Sequence, residues 1–143
     1  MPFDIASSPP VPAPDELARF YFEAAAQHRL ELLRCQQCGH FVHYPRPVCN
    51  RCLSTSLAPE EVSGRGTLYS YSEIHQPSHP YFTARLPYLI GVIDVEEEPG
   101  VRIPTGIVDA VREDLRCGMP VQVVFHEVTP TLTLPYFRPT EEA

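Results

Sequence analysis

Cys35-Gln36-Gln37-Cys38 and Cys49-Asn50-Arg51-Cys52 hold four of the five cysteines, in two Cys-x-x-Cys pairs ten residues apart. A two-residue gap lets both sulfurs of a tight turn point the same way, and two such turns close a tetrahedral thiolate cage around one zinc ion. Two disulfides or four unrelated thiols are the competing readings. The chain starts Met1-Pro2-Phe3-Asp4-Ile5, without the basic start and apolar core of a signal peptide. That reads as cytoplasmic, where thiols stay reduced, and favours the metal. Four thiolates leave no open coordination position, so the predicted zinc, one per chain, is structural. Gly39 suits the positive φ that such knuckle turns need. Leu53 holds the matching place after the second pair, which predicts a differently built turn there.

Other residues with chemical potential are scattered. His40 and His43 lie near the cage, but four cysteines already complete the shell, which assigns both to the surface or to the surroundings of the ligands. His75, His79 and Tyr81 cluster in one Pro-rich loop; a loop His can serve as general acid or base, and a plain polar loop is the favoured alternative. Cys117 beside Arg116 is expected to be buried or half-buried at a strand entry. There is no nucleophile elbow, no phosphate-binding Gly loop and no framed carboxylate pair, so no catalytic residue is assigned. Arg34, Arg46, Arg51 and Arg65 gather around the cysteines and the segment after them. Arginine grips phosphate in two-pronged fashion, so these four could meet a nucleotide; solvated charges are the equal alternative.

The elements that position these groups follow from pattern. Ser7 to Pro14 is too rich in proline for a helix and reads as a mobile or polyproline-like lead-in. Asp15 offers an N-cap, and Leu17, Phe20, Tyr21, Ala24, Ala25 and His28 recur on one face of a helix of about 14 residues. Phe20 and Tyr21 on that face pack either inward or against a partner. Leu30 to Arg34 and Phe41 to Tyr44 read as short ribbon strands, and 54–62 as a polar joint. Five strands are then expected: Thr67–His75, Tyr88–Val95, Val101–Ala110, Val121–Val128 and Leu132–Arg138. A helical turn at Arg112–Leu115 precedes the fourth. This spacing fits a small closed or partly closed barrel. The division is a lead-in at 1–14, a helix with zinc ribbon at 15–58 and a barrel at 59–143, mainly β overall.

The formal net charge is -7, and all 11 basic residues are Arg. A nucleic-acid groove demands a basic face, so a single-strand-binding barrel is the rival the charge argues against. No apolar run approaches the ~20 residues of a membrane span.

Tyr21-Phe22-Glu23, the two cysteine pairs, Ser63-Gly64-Arg65-Gly66-Thr67-Leu68-Tyr69-Ser70, Gly118-Met119-Pro120-Val121-Gln122-Val123-Val124-Phe125 and Pro135-Tyr136-Phe137-Arg138 form one signature. It resembles the acyl-CoA-associated proteins built from a rubredoxin-like zinc ribbon followed by a five-stranded OB-fold, long classed as a domain of unknown function. The likeness runs from about Arg19 to Pro139; Phe22, where Trp is frequent, and the joint around Pro59, which lacks the expected aromatic, depart from it. The resemblance implies a non-catalytic accessory subunit in lipid metabolism. Its implied partner is a thiolase-like enzyme, such as a lipid-transfer-protein-like aldolase or acyltransferase, or else a hotdog-fold enoyl-CoA hydratase, with acyl-CoA at the shared interface. Phe20, Tyr21, Arg34, Arg46, Arg51, Arg65, His75 and His79 are the candidate contacts for CoA or partner.

Overall fold

A computed structural model describes residues 8–141; the amino-terminal reading at Met1 to Ile5 and the first part of the lead-in lie outside the described residues. Residues 9–15 run without helix or strand. The helix is α1, Arg19–Ala26, eight residues rather than about 14. Asp15 accepts the Ala18 N–H through Oδ1 at 2.9 Å, but it caps a turn ahead of the helix. At the other end His28 adopts φ 58, its N–H bonds Ala25 O and the Arg29 N–H reaches back to Ala24 O, both at 2.9 Å. This paired closure satisfies the last carbonyls and ends the helix, with His28 where glycine is usual.

Three strands follow: β1 (Glu31–Cys35), β2 (Phe41–Val42) and β3 (Leu57–Glu61), in the order β2-β1-β3. The expected polar joint at 54–62 is therefore corrected, because β3 pairs along the whole of β1, Glu31 opposite Glu61 and Cys35 opposite Leu57. It escapes a period-two pattern because neither face is fully buried, Leu57 and Ala58 being half-buried and Pro59 to Glu61 exposed, and Pro59, lacking an N–H, sits on an edge. Alternation along β1 sends Leu30 and Leu32 into the main core while Leu33 and Cys35 pack with Val42 and Cys49 around the sulfurs.

β4 (Arg65–Ile74), β5 (Tyr88–Val95), β6 (Arg102–Ile107), β7 (Pro120–Thr129) and β8 (Leu132–Pro139) form a closed barrel in the order β4-β5-β6-β8-β7. Closure comes from β4 against β7 at Arg65–Thr67 and from a parallel contact of Ile107 with Phe137. This is the OB-fold, mainly β with one short helix and a zinc ribbon ahead of it. Leu68, Ile93, Ile103, Val121 and Phe137 fill its interior. The turn expected at Arg112–Leu115 is a 3₁₀ turn, Arg112–Asp114, and a second, Pro80–Arg85, stands in the loop after β4. No helix of the described residues is long and apolar enough to cross a membrane.

α1 sits where the two parts meet. Phe20 packs on the cluster around the cysteines and Tyr21 on the barrel core, since neighbouring helical positions point about 100° apart. Ala24 and Ala25 are buried, and their small side chains allow the helix its close approach. The half-buried Phe20 and Tyr21 thus fasten ribbon to barrel.

Candidate metal centre and the seam beside it

Cys35 ends β1, and the chain turns so that the Gly39 N–H bonds Cys35 O at 3.0 Å, with Gly39 at φ 80. The second turn repeats this: the Leu53 N–H bonds Cys49 O at 3.0 Å, with Leu53 at φ 66. The expectation of a different second turn is overturned, because leucine accepts the left-handed conformation at a cost of about 1–2 kcal/mol. Leu53 is 76% exposed, so nothing in the fold requires its side chain. Leu53→Gly is expected to raise the melting stability of metal-loaded protein by about 0.5–1 kcal/mol, strain relief less the entropy glycine costs.

The two turns bring all four sulfurs within 4.8 Å of one another. Cys35 and Cys52 Sγ are 3.5 Å apart and Cys38 and Cys49 Sγ 3.7 Å. A tetrahedron with Zn–S bonds of about 2.3 Å has edges of about 3.8 Å, so the donor set fits such a cation. The amides of Cys38 and Arg51 point at Cys35 and Cys49 Sγ, each at 3.4 Å. Backbone N–H groups, Cys38 first, hold the Cys35 thiol down to about 6, and Cys49 is lowered in the same way, first by the Cys52 amide. These amides favour the ionised form of both sulfurs, while the neighbouring sulfurs push Cys52 up to about 12. Neither His40 nor His43 joins the sulfur group.

His40 instead serves the seam. Its Nδ1 lies 2.6 Å from Glu98 Oε2, the Phe41 N–H donates to Glu98 Oε1 at 2.8 Å, and the Arg51 guanidinium donates to Oε2 at 3.0 Å. Burial works to raise the Glu98 carboxyl, but these three groups hold it below its ordinary value. Glu97 accepts the Ser63 N–H at 2.6 Å, and Glu96 pairs with Arg65 at 2.9 Å. The acidic turn between β5 and β6 thus clasps the knuckles and the chain leading into β4. In the sequence, Glu96-Glu97-Glu98-Pro99-Gly100 reads as an acidic turn that breaks the strand. The signal was present: three adjacent acids in one tight turn repel unless cations or amides face them.

The other candidates do not converge on one site. Arg34 donates to Gly39 O at 2.9 Å, pairs with Glu60 at 2.6 Å and lies over the Phe41 ring at 4.7 Å. Arg51 and Arg65 are engaged as described. Arg46 is exposed and makes no ion pair among the described residues. His75 pairs with its neighbour Glu73 at 2.8 Å, and His79 Nδ1 accepts the Tyr81 N–H at 3.1 Å to cap the 3₁₀ turn. Cys117 is exposed, contrary to expectation, because the turn at Gly118 carries it outward.

The ChsH2 rubredoxin-like zinc ribbon domain model matches residues 22–58, and the ChsH2 C-terminal OB-fold domain model matches residues 59–126. A DUF35 domain-containing scaffold protein of Methanocaldococcus jannaschii is 36% identical over 97 residues, 67% of this chain and 67% of that protein. The chain belongs to the DUF35 family. Among solved structures, a chain of the Ltp2-ChsH2(DUF35) aldolase has 38% identity and a TM-score of 0.81, covering 90% of this DUF35 chain and 98% of that one. A probable enoyl-CoA hydratase alpha subunit of Thermomonospora curvata is 39% identical over 130 residues. The match takes in 91% of the present chain but only 40% of that relative, so the chain spans less than half of the relative's length.

Proposed function

We propose that this DUF35 chain is a non-catalytic accessory subunit of an acyl-CoA-processing complex, and that its partner is a thiolase-like enzyme of the lipid-transfer-protein-like aldolase kind. One observation carries the reading: the chain matches, almost end to end, a component of an aldolase described as Ltp2-ChsH2(DUF35). Among the described residues the four cysteines are the one group of His, Cys, Asp or Glu placed to hold a metal, and a shell of four thiolates suits support. Bound there through Cys35, Cys38, Cys49 and Cys52, one zinc per chain would supply a cross-link between the two knuckles. The subunit completes the partner's acyl-CoA channel, and of the four arginines near the cage and its joint exposed Arg46 is the one without an ion pair among the described residues, left to meet a phosphate. An acidic chain whose Arg34, Arg51 and Arg65 already face carboxylates has little to offer a nucleic-acid backbone. The 39% identity to a hydratase alpha subunit favours a hotdog-fold enoyl-CoA hydratase as the second reading.

Coexpression separates them. The chain is expected to copurify with a thiolase-like protein from its own genome and to raise that protein's aldolase activity or solubility, and alone to turn over no acyl-CoA ester. Copurification with a hydratase instead would move the second reading to first place. Turnover by the isolated chain at an enzymatic rate would end the accessory-subunit reading.

A further inference from the structure

Away from the cysteine cage, a cleft of about 410 Å³ opens where lead-in, helix, ribbon and barrel meet. Small-molecule sites run from about 300 to 1,000 Å³, so one modest ligand fits. Tyr21 of α1 forms one wall, His43 and Tyr44 after β2 a second, and Tyr136 of β8 a third; Pro12 of the lead-in borders it. No Asp, Glu or Arg lines it, although the chain carries a formal net charge of -7 and charges abound elsewhere. A charge-free apolar wall cannot compensate a desolvated phosphate or carboxylate, so the cleft rejects anions.

Its polar side chains are few, and apart from Thr105, which donates to Pro135 O at 3.1 Å, they are uncommitted. The hydroxyls of Tyr21, Tyr44 and Tyr136 and the imidazole of His43 make no hydrogen bond to another described residue. Their partners are rings: His43 lies 5.7 Å from Tyr21 and 4.9 Å from Tyr44, and Tyr136 stacks on His126 at 5.4 Å. No fully buried side-chain N or O among the described residues lacks a partner, so the polar atoms of Tyr21, His43 and Tyr136 keep some exposure, and all three residues line the cleft. Burial pushes the Tyr21 and Tyr136 phenols up and His43 down to about 4. At neutral pH the phenols are therefore protonated donors and the imidazole is uncharged. Donors set in an apolar wall select an acceptor oxygen on an uncharged body.

We propose that this cleft binds an uncharged, largely apolar small molecule through a carbonyl oxygen, with the tyrosine hydroxyls and His43 as its hydrogen-bonding groups and their ring faces against its body. Gly106 of β6 provides a handle for the test, since a Cβ there would lie 3.1 Å from the Tyr136 ring. Any larger side chain there presses on that ring and moves it into the cleft's space.

The test uses metal-loaded full-length protein and NMR titration with methyl β-naphthyl ketone, with β-naphthoate as the charged counterpart. Saturable shifts at His43, Tyr21 and Tyr136 are expected for the ketone, with the carboxylate at least about tenfold weaker. His43→Phe should weaken the ketone about tenfold, equivalent to about 1.4 kcal/mol. Gly106→Val should abolish binding, while circular dichroism and metal content match wild type. The proposal is overturned if the ketone shows no saturation, if the carboxylate binds equally, or if both variants leave the affinity unchanged. It also fails if a peptide with the sequence of residues 8–14 shifts the same resonances and the ketone does not, which would make the cleft a seat for the chain's own lead-in.

Discussion

Cys35→Ser and Cys49→Ser are each expected to take metal content from one zinc per chain to near zero and to unfold the ribbon. Both residues are almost fully buried, at 1% and 0% exposure, so a serine hydroxyl there can neither ligate well nor reach water. Structural zinc supplies about 10–16 kcal/mol to small cysteine-ligated modules, far more than this ribbon's apolar cluster of Leu33, Val42 and half-buried Phe20 can replace. The loss should also spread. β1 and the residue before it carry Leu32 and Leu30 into the barrel core, so an unfolded ribbon uncovers one end of the barrel and broadens its melting transition. Elemental analysis and thermal denaturation read the two effects separately. Full metal content in both variants would defeat the assignment of the cage.

Glu98→Gln should destabilise the junction of ribbon and barrel by about 2 kcal/mol, the worth of charge-assisted hydrogen bonds discounted for partial exposure. The Glu98 side chain is 21% exposed and His40 only 11%, so water replaces the lost contacts poorly. The effect depends on pH. The folded carboxyl titrates below its ordinary 4.5, so its stabilisation is fully present above that value and disappears as pH falls through the folded value. Wild type and Glu98→Gln should therefore differ at neutral pH and converge in acid. Protonation of the thiolates releases metal in both proteins, so the difference between their melting curves isolates Glu98. A constant difference across the range would show that the turn acts by packing and not by charge.

The cysteine cage was legible from residue types and spacing alone, because the geometry of Cys-x-x-Cys is a local matter: a two-residue gap aims two sulfurs together whatever surrounds them. The five barrel strands were legible too, since Tyr88–Val95 and Val121–Val128 carry runs and alternations that persist over a whole strand. Local pattern stopped at each place where a distant partner sets the outcome. Leu53 adopts a left-handed turn because the Cys49 carbonyl and the cage demand it, against its own preference. β3 is a strand because β1 offers it a free edge; Leu57 and Val62 are the only sizeable apolar side chains in 54–62, too few to announce one. Phe20 and Tyr21 mark an apolar helix face in sequence, but which surfaces receive them depends on how ribbon and barrel dock. Glu98 is the clearest case. Its partners His40, Phe41 and Arg51 lie 47 to 58 residues away, a separation that no periodicity encodes. Composition and spacing thus determined the four-cysteine cage, the strands and the acidic balance. The docking of ribbon on barrel determined which carboxylates, aromatics and arginines were already taken, and left His43 and three tyrosines around an open cleft.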